Sequence, residues 1–371
     1  MTTYLLAGGG TAGHVNPLLA VADALRAREP EAEVLVLGTR EGLEARLVPA
    51  RGYELLLVDK VPFPRRPDRA AAAFPARFRR AVRQVRDHLR ARDVDVVVGF
   101  GGYASAPAYV AARRRTPLVV HEANARPGLA NVLGARWTDQ VGVVFPGTRI
   151  RGARVVGMPL RREIVDLDRT AARAEAAAHF GLDPERPTLL VFGGSLGAQR
   201  LNDALAGAWR DVLDAGWQLL HVTGERSDLA DPGAPAYALR RYVDRMDLAY
   251  ALADLVVSRA GSATVSEVSA LGIPAVYVPY AVGNGEQRLN AASAVDAGAA
   301  RIVPDAELTP ERVRSEIVPL LRDEPRLAAM REAAASVGTR RGTENVVAHI
   351  DEALSGRGRP ARRGRRPGTR T

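Results

Sequence analysis

The stretch YLLAGGGTAGHVNPLLAVADALRAR, from Tyr4 to Arg28, decides how the chain is read. A short apolar run, Tyr4–Ala7, reads as a strand. Three glycines, Gly8 to Gly10, break it, and a helical pattern follows from about Val15 to Arg28. Strand, glycine turn and helix are the opening of a βαβ unit. Gly8, Gly10 and Gly13 spell G-x-G-x-x-G, a turn that lets the backbone fold tightly and offers helix N–H groups to a phosphate. That chemistry suits any phosphate-bearing ligand. A dinucleotide site also needs an acid at the end of the second strand. That strand, EVLVLG (Glu33–Gly38), runs into Thr39 and Arg40 instead. Arg40 leaves a 2′-phosphorylated dinucleotide as an open reading, and a purely structural turn is the plainer alternative.

The theme restarts at TLLVFGGSLGAQRLNDAL, residues 188–205, again strand, glycine turn and helix. The apolar runs DVDVVVGFGG, PLVVHEAN, QVGVVF and ARVVGMP continue the first half. WQLLHVTG, LRRYVD, LADLVVSRAGS and IPAVYVPY continue the second. Strands alternating with helical patterns indicate parallel sheets, and most of these strands end in small or polar residues, where open α/β sheets bind ligands. The segment Met158–Asp183 reads as the link between halves. The terminal GRGRPARRGRRPGTRT, residues 356–371, has no apolar residue able to anchor it and is expected to be disordered.

Composition narrows the function. The chain has 371 residues, which suggests two domains, and no cysteine, which removes disulfides, thiolate metal sites and cysteine nucleophiles. The histidines (14, 88, 121, 179, 221, 349) show no metal-binding spacing, so no metal and no other cofactor is expected. No apolar run is long enough to span a membrane and no leader pattern opens the chain, which points to the cytosol. The net charge of +10 is local. Residues 356–371 carry +7 and residues 65–92 carry +8, leaving the rest at −5, so the charge marks no nucleic-acid groove.

Five further stretches carry chemistry. Gly193-Gly194-Ser195-Leu196-Gly197 matches the G-x-S-x-G elbow of hydrolases, but only His221 and His349 follow it, and neither has an evident acid partner. A phosphate-cradling turn accounts for the same residues with fewer demands. SRAGSATVSEVSALGIP, residues 258–274, opens a helix with small residues from Ala260 to Thr264, fit to leave N–H groups for a diphosphate, with Glu267 one turn in. That acid suits ribose hydroxyls or merely the helix dipole. YAVGNGEQRLNAA, residues 280–292, sets Asn284, Glu286, Gln287 and Asn290 after a strand, a group suited to sugar hydroxyls or to capping a helix. HEANARPGLAN places His121, Glu122 and Asn124 at another strand end. Finally, Phe74, Phe78, Val82 and Val85 recur at near-helical spacing among Arg77, Arg79, Arg80 and Arg83. This is either a core-facing stripe or a patch for an anionic bilayer.

Taken in order, these motifs resemble the MurG family of UDP-N-acetylglucosamine transferases of peptidoglycan synthesis. GGGTAGHVNPLLAVADAL, VVGFGGYASAPA, HEANARPGLAN, VVGMPLR, FGGSLGAQRLN, SRAGSATVSEVSALGIP and GNGEQRLNA span about residues 4–350 in the family's order, and HEAN and NGEQRLNA are most similar to actinobacterial members. The resemblance implies an α/β GT-B glycosyltransferase, two Rossmann-like domains with parallel sheets facing a central cleft. An N-terminal acceptor-side domain would cover 1–160, with a helix at about 336–354 packing back on it, and a UDP-GlcNAc-binding domain would cover 161–335. The resemblance further implies that Thr11, Ala12, Gly13 and His14 face the reaction centre and the lipid diphosphate. Asn124 would meet the donor sugar, and Arg161 and Ser195 would lie near the donor diphosphate. Val243 would meet uracil through its backbone. Ser262, Ala263, Thr264, Val265, Ser266 and Glu267 would hold diphosphate and ribose, and Gln287 would read the N-acetylglucosamine hydroxyls. The chain departs from common family forms at Ala12, Met158, Glu286 and Gly283–Gly285.

The implied reaction is inverting transfer of N-acetylglucosamine to the C4 hydroxyl of lipid I, without a metal, giving lipid II and UDP. His14 is the candidate general base, because an imidazole titrates near neutrality. The undecaprenyl-linked acceptor implies peripheral attachment to the anionic cytoplasmic membrane face, raising the weight on Phe74, Phe78, Arg77 and Arg80, and a place beside the cell-wall and division machinery. The rival readings are a related transferase with another lipid or natural-product acceptor, an NADP oxidoreductase, and a non-catalytic sugar-nucleotide binder.

Overall fold

A computed structural model describes residues 1–64, 66, 68–194, 197–280 and 285–356. The first half builds a seven-stranded parallel sheet from β1 (Thr3–Ala7), β2 (Glu33–Gly38), β3 (Glu54–Leu57), β4 (Val96–Gly99), β5 (Leu118–Glu122), β6 (Val141–Val143) and β7 (Ala153–Val155). Its order is β3-β2-β1-β4-β5-β6-β7. The second half builds a six-stranded parallel sheet from β8 (Thr188–Phe192), β9 (Gln218–Val222), β10 (Tyr237–Arg240), β11 (Leu255–Ser258), β12 (Ala275–Tyr277) and β13 (Ala300–Ile302), in the order β10-β9-β8-β11-β12-β13. In each sheet the winding direction reverses beside the first strand, between β1 and β4 and between β8 and β11. A crevice opens at the carboxyl ends of the strands at such a reversal.

Both faces of each sheet are covered, which is why the strands read as continuous apolar runs. Along β1, Leu5 and Ala7 join one core cluster while Tyr4 and Leu6 join the other, the period-two alternation of a strand. The first half's helices are α1 (Ala12–Arg28), α2 (Glu44–Ala50), α3 (Arg69–Ala91), α4 (Ser105–Ala112) and α5 (Leu129–Gly134). Helix α1 begins three residues before the expected Val15, because Thr11 is already in the extended N-cap conformation. It buries Val15, Leu18, Leu19, Val21, Ala22 and Leu25. The second half carries α6 (Arg162–Val165), α7 (Arg169–Phe180), α8 (Gln199–Ala206), α9 (Trp209–Asp214), α10 (Met246–Leu252), α11 (Ser262–Ala270) and α12 (Glu286–Asn290).

The segment expected to link the halves is not an open link. Helix α7 is capped at its start by the Asp168 carboxylate and closed by Gly181, and it buries Ala176, Ala177 and Phe180 in the second half's core. Strands β3 and β13 were not anticipated. Both lie at sheet edges and are short, so their pattern is faint.

The chain passes between the halves twice. The first passage runs through Val156–Leu167, and the second through Gly338–Gly342, which leads into a last helix, Gly342–Ser355. That helix places Val346, Val347 and Ile350 in a cluster with Tyr4, Leu6 and Val15 of the first half. Arg28–Asp351 and Arg154–Glu352 pair across the same contact, each at 2.7 Å. The two passages lie directly on each other. A Cβ on Gly342 would stand 2.1 Å from the Met158 carbonyl oxygen, and one on Gly157 would stand 2.4 Å from Thr339. The Arg340 guanidinium ties them by donating to the carbonyls of Val165 and Leu167 and to that of Ala270. The terminal segment expected to be disordered lies, from residue 357, outside the described residues.

Candidate active site

The two winding reversals put the turns singled out in the sequence on facing edges. In the first half, the turn after β1 carries His14 in the first turn of α1. Its Nδ1 lies 3.1 Å from the Gly9 carbonyl and 3.3 Å from Thr11 Oγ1. A carbonyl can only accept, so the neutral ring carries its proton on Nδ1 and leaves the Nε2 lone pair free. That nitrogen lies beside the loop after β4, where a Cβ on Gly101 would be 3.1 Å away. Gly102, at φ +82°, comes so close to Gly9 that a Cβ would stand 2.4 Å from its carbonyl oxygen. Thr11 makes no side-chain cap and the first turn holds no acid. The N–H groups of Ala12 and Gly13, on partly or fully exposed residues, are therefore open to an anion.

The HEAN loop lies one strand over. The buried Glu122 carboxylate accepts from the backbone N–H of Asn124 and Gly128 and from Asn131 Nδ2, all at 2.9 Å. It shapes the loop rather than facing a ligand. Asn124 is half-buried, and the loop is pinned to the other half by Asn290 of α12, whose Oδ1 accepts from Ala125 N–H at 2.9 Å. His121 is buried, donates through Nε2 to the Gly157 carbonyl, and burial lowers its pKa to about 4.

In the second half, one cavity of about 700 Å³ gathers three of the motifs. Gly193, Gly194 and Gly197 of the β8 turn, Gly261 and Thr264 at the start of α11, and Gln287 of α12 all line it. Gly261 caps α11 without a side-chain bond, and its first turn has no acid. The N–H groups of Ser262, Ala263 and Thr264 thus have no intrahelical acceptor. Gln287 accepts from Tyr280 N–H through Oε1 at 2.8 Å, which leaves its amide nitrogen for the cavity. Ser195 and Asn284 lie outside the described residues.

The remaining expected residues stand apart from that cavity's lining. Arg161 and Glu267 meet each other, Nη2 to Oε1 at 3.2 Å, and Tyr250 Oη donates to Glu267 Oε2 at 2.9 Å. Burial works against the Arg161 charge, but Glu267 and Tyr250 outweigh it and hold the guanidinium above its ordinary value. Burial, reinforced by the Glu267 carboxylate, pushes the Tyr250 hydroxyl well up. Val243 and Val265 belong to the core, and Ser266 lines a small hollow at the seam between the halves with Phe145 and Met158.

The hydrolase reading fails on geometry. His221 is fully buried, with Tyr237 Oη at 2.7 Å from Nδ1 and Asn202 Oδ1 at 3.2 Å from Nε2, and burial lowers its pKa to about 4. It is a satisfied core residue. The α3 stripe mixes the two readings given for it. Phe74 and Phe78 stack at 5.5 Å, close against Phe63, and pack on the first half's core, while Arg77 and Arg80 are exposed.

Sequence reasoning missed Arg259, which lines the cavity, donates to the Val278 carbonyl and pairs with Asp305, itself shared with Arg200. The arginine stands inside the quoted SRAGS, but nothing in the sequence ties it to an acid far along the chain. It also missed Glu44, whose Oε2 accepts Gly10 N–H at 2.7 Å. Among the described residues, no group of three or more His, Asp or Glu could hold a metal ion.

Comparison with known proteins agrees with this layout. Residues 4–143 match the glycosyltransferase family 28 N-terminal domain, and residues 188–346 match the glycosyltransferase family 28 C-terminal domain. The chain is 62% identical, over 96% of its length and 99% of the relative's, to the UDP-N-acetylglucosamine--N-acetylmuramyl-(pentapeptide) pyrophosphoryl-undecaprenol N-acetylglucosamine transferase of Leifsonia xyli subsp. xyli. It is 51% identical to the protein of the same name from Streptomyces coelicolor, over 96% and 99% of the two chains. The crystal structure of Acinetobacter baumannii MurG superposes with a TM-score of 0.78 at 28% identity, covering 95% of this chain and all of that one.

Proposed function

The chain belongs to glycosyltransferase family 28, in its MurG branch, and from that membership we propose that it transfers N-acetylglucosamine from UDP-GlcNAc to the C4 hydroxyl of the muramoyl unit of lipid I. The products are lipid II, with inversion at the anomeric carbon, and UDP. The observation that carries the reading is the convergence of the β8 turn, the start of α11 and Gln287 on one cavity, with His14 on the facing half.

The diphosphate and sugar of UDP-GlcNAc lie in that cavity, and its nucleoside reaches past the lining toward Glu267. The open N–H groups of Ser262, Ala263 and Thr264 take its diphosphate, and Gln287 reads the sugar. Glu267 takes the ribose hydroxyls with the lone pairs that Arg161 and Tyr250 leave unused. The acceptor's diphosphate sits at Ala12 and Gly13, which sets its C4 hydroxyl against His14. Nε2 takes the hydroxyl proton as the oxygen attacks the anomeric carbon, and the bond to UDP breaks on the opposite side. Charge developing on the leaving diphosphate meets fixed helix N–H dipoles, which need no reorganisation. The chain's own groups suffice for these steps, and no cofactor is invoked.

The acceptor's lipid tail places the enzyme at the cytoplasmic membrane surface. Beyond the three-phenylalanine cluster, a hollow of about 370 Å³ lined by Arg86, Arg90, Arg113, Arg114, Arg115 and Trp137, with no acid in its lining, continues the basic face of α3. Because Phe74 and Phe78 also serve the core, arginine variants test docking more cleanly than phenylalanine ones. Arg113→Glu/Arg115→Glu protein should lose co-sedimentation with phosphatidylglycerol vesicles, and unchanged binding would argue against this face. For the reaction, UDP release should require both UDP-GlcNAc and a soluble lipid I analogue. His14→Ala should lower turnover at least about 100-fold. Near-normal turnover in that variant would sink the base assignment.

A further inference from the structure

Glu44 opens α2 and is 1% exposed. Its partners are all donors from two neighbouring turns. Oε2 accepts from Gly10 N–H at 2.7 Å, and Oε1 accepts from Thr39 N–H and Thr39 Oγ1, each at 2.9 Å. The carboxylate fills the space between the β1 turn and the end of β2. A Cβ on Gly9 would stand 2.3 Å from it, and one on Gly42 would stand 2.0 Å from it. An acid therefore does come to the end of the second strand, but it faces inward and holds the glycine turn itself.

We propose that Glu44 is a positioning residue for the transfer. Its grip on Gly10 fixes the Gly9 carbonyl, and that carbonyl holds the His14 ring with Nε2 turned out to the acceptor. The inference rests on His14 being the base. A buried carboxylate is a costly way to close a turn. Here it gives a rigidity that neutral bonds to water would not. It also occupies Gly10 N–H, so an incoming diphosphate is confined to Ala12 and Gly13, next to His14. Gly10 itself sits at φ +90°, which glycine adopts freely, so its own backbone does not fix the turn and the bond to Glu44 does.

The groups around His14 are few. Thr11 Oγ1 faces it from its own turn, the Gly101 backbone from the β4 loop and His121 from β5. Asn131 of α5 faces the same glycine, and Glu44 acts through the turn. His121 stays neutral near pH 7 and puts no charge against this ring, and Glu44 reaches it only through the hydrogen bonds of the turn.

An isosteric amide cannot replace the carboxylate. Glutamine has one acceptor oxygen, and its NH2 would oppose either Gly10 N–H or Thr39 N–H. The test compares full-length wild type, Glu44→Gln, Gly42→Ala and His14→Ala by UDP release with a soluble lipid I analogue. Glu44→Gln should lower kcat about 10- to 100-fold, the effect of a misplaced catalytic group, with KM for UDP-GlcNAc unchanged. Gly42→Ala, which displaces the carboxylate without removing it, should lower kcat in the same way with KM for UDP-GlcNAc unchanged, and it decides the matter if Glu44→Gln does not fold. A melting point that falls while kcat per folded enzyme stays put would overturn the proposal. Retained turnover in His14→Ala would overturn the base assignment instead. An inactive His14→Ala beside a wild-type Glu44→Gln would overturn only the positioning role.

Discussion

Two histidines show how far burial separates residues of one type. His121 and His221 are held near pKa 4 by burial, below the ordinary value of about 6.5. Their folded-state pKa values are lowered, so the stability tied to their neutral forms is complete above about pH 6.5 and is lost as pH falls toward 4. In that window the unfolded chain binds more protons. Each can contribute at most about 3 kcal/mol. The melting temperature should therefore fall from pH 6.5 to 4, and both imidazole resonances should stay in the neutral position down to about pH 5 by NMR. A resonance titrating near 6.5 from either residue would contradict this. In the sequence both His14 and His221 stand near a strand's carboxyl end, although His14 follows β1 in a glycine turn and His221 lies within β9, between Leu220 and Val222. The difference is made by Tyr237 and Asn202, which reach His221 from β10 and α8. Glu44 was illegible for a like reason. In EGLEARL it reads as a surface acid opening a helix, and only the fold brings it to Gly10.

At the scale of elements, glycine turns and apolar runs announced most strands, and the two reversals of winding explain why three turns had the same composition. Each must bring a helix start to a crevice edge. Helix α7 was less legible because its Ala- and Arg-rich sequence has a weak apolar face, and Phe180 alone carries much of its burial. Phe180→Ala should destabilise the protein by about 3–5 kcal/mol in denaturant melts. An effect under about 1 kcal/mol would mean that α7 is only loosely attached. Helix α11 divides its work by position. Its first turn is open to a ligand, while Glu267 anchors Arg161 and Tyr250 one turn in. Glu267→Ala should therefore weaken UDP binding and lower stability together, because it strips a part-buried guanidinium of its partner. Calorimetric titration with UDP beside a thermal melt checks both, and unaltered UDP affinity would remove Glu267 from the ribose site.

For the whole molecule, the last helix returns to the half in which the chain began. Removing residues 342–371 would take Val346, Val347 and Ile350 from the cluster around Tyr4 and Val15. At about 1.5–3 kcal/mol each, that loss is comparable to the entire net stability of a domain. The truncated protein should be insoluble or should melt far below the full chain, and an unchanged melting curve would show the helix to be dispensable.

The two passages between the halves have a mechanical consequence. Because Gly157 lies against Thr339 and Gly342 against Met158, the halves cannot slide apart without breaking backbone contact. What remains is rotation about one pin, like a pair of scissors whose rivet is made of glycine. Any movement of one half against the other is then a single angular coordinate. A methyl group at position 342 would act as a shim in that rivet, altering the resting angle of the blades while leaving every group that touches substrate in place.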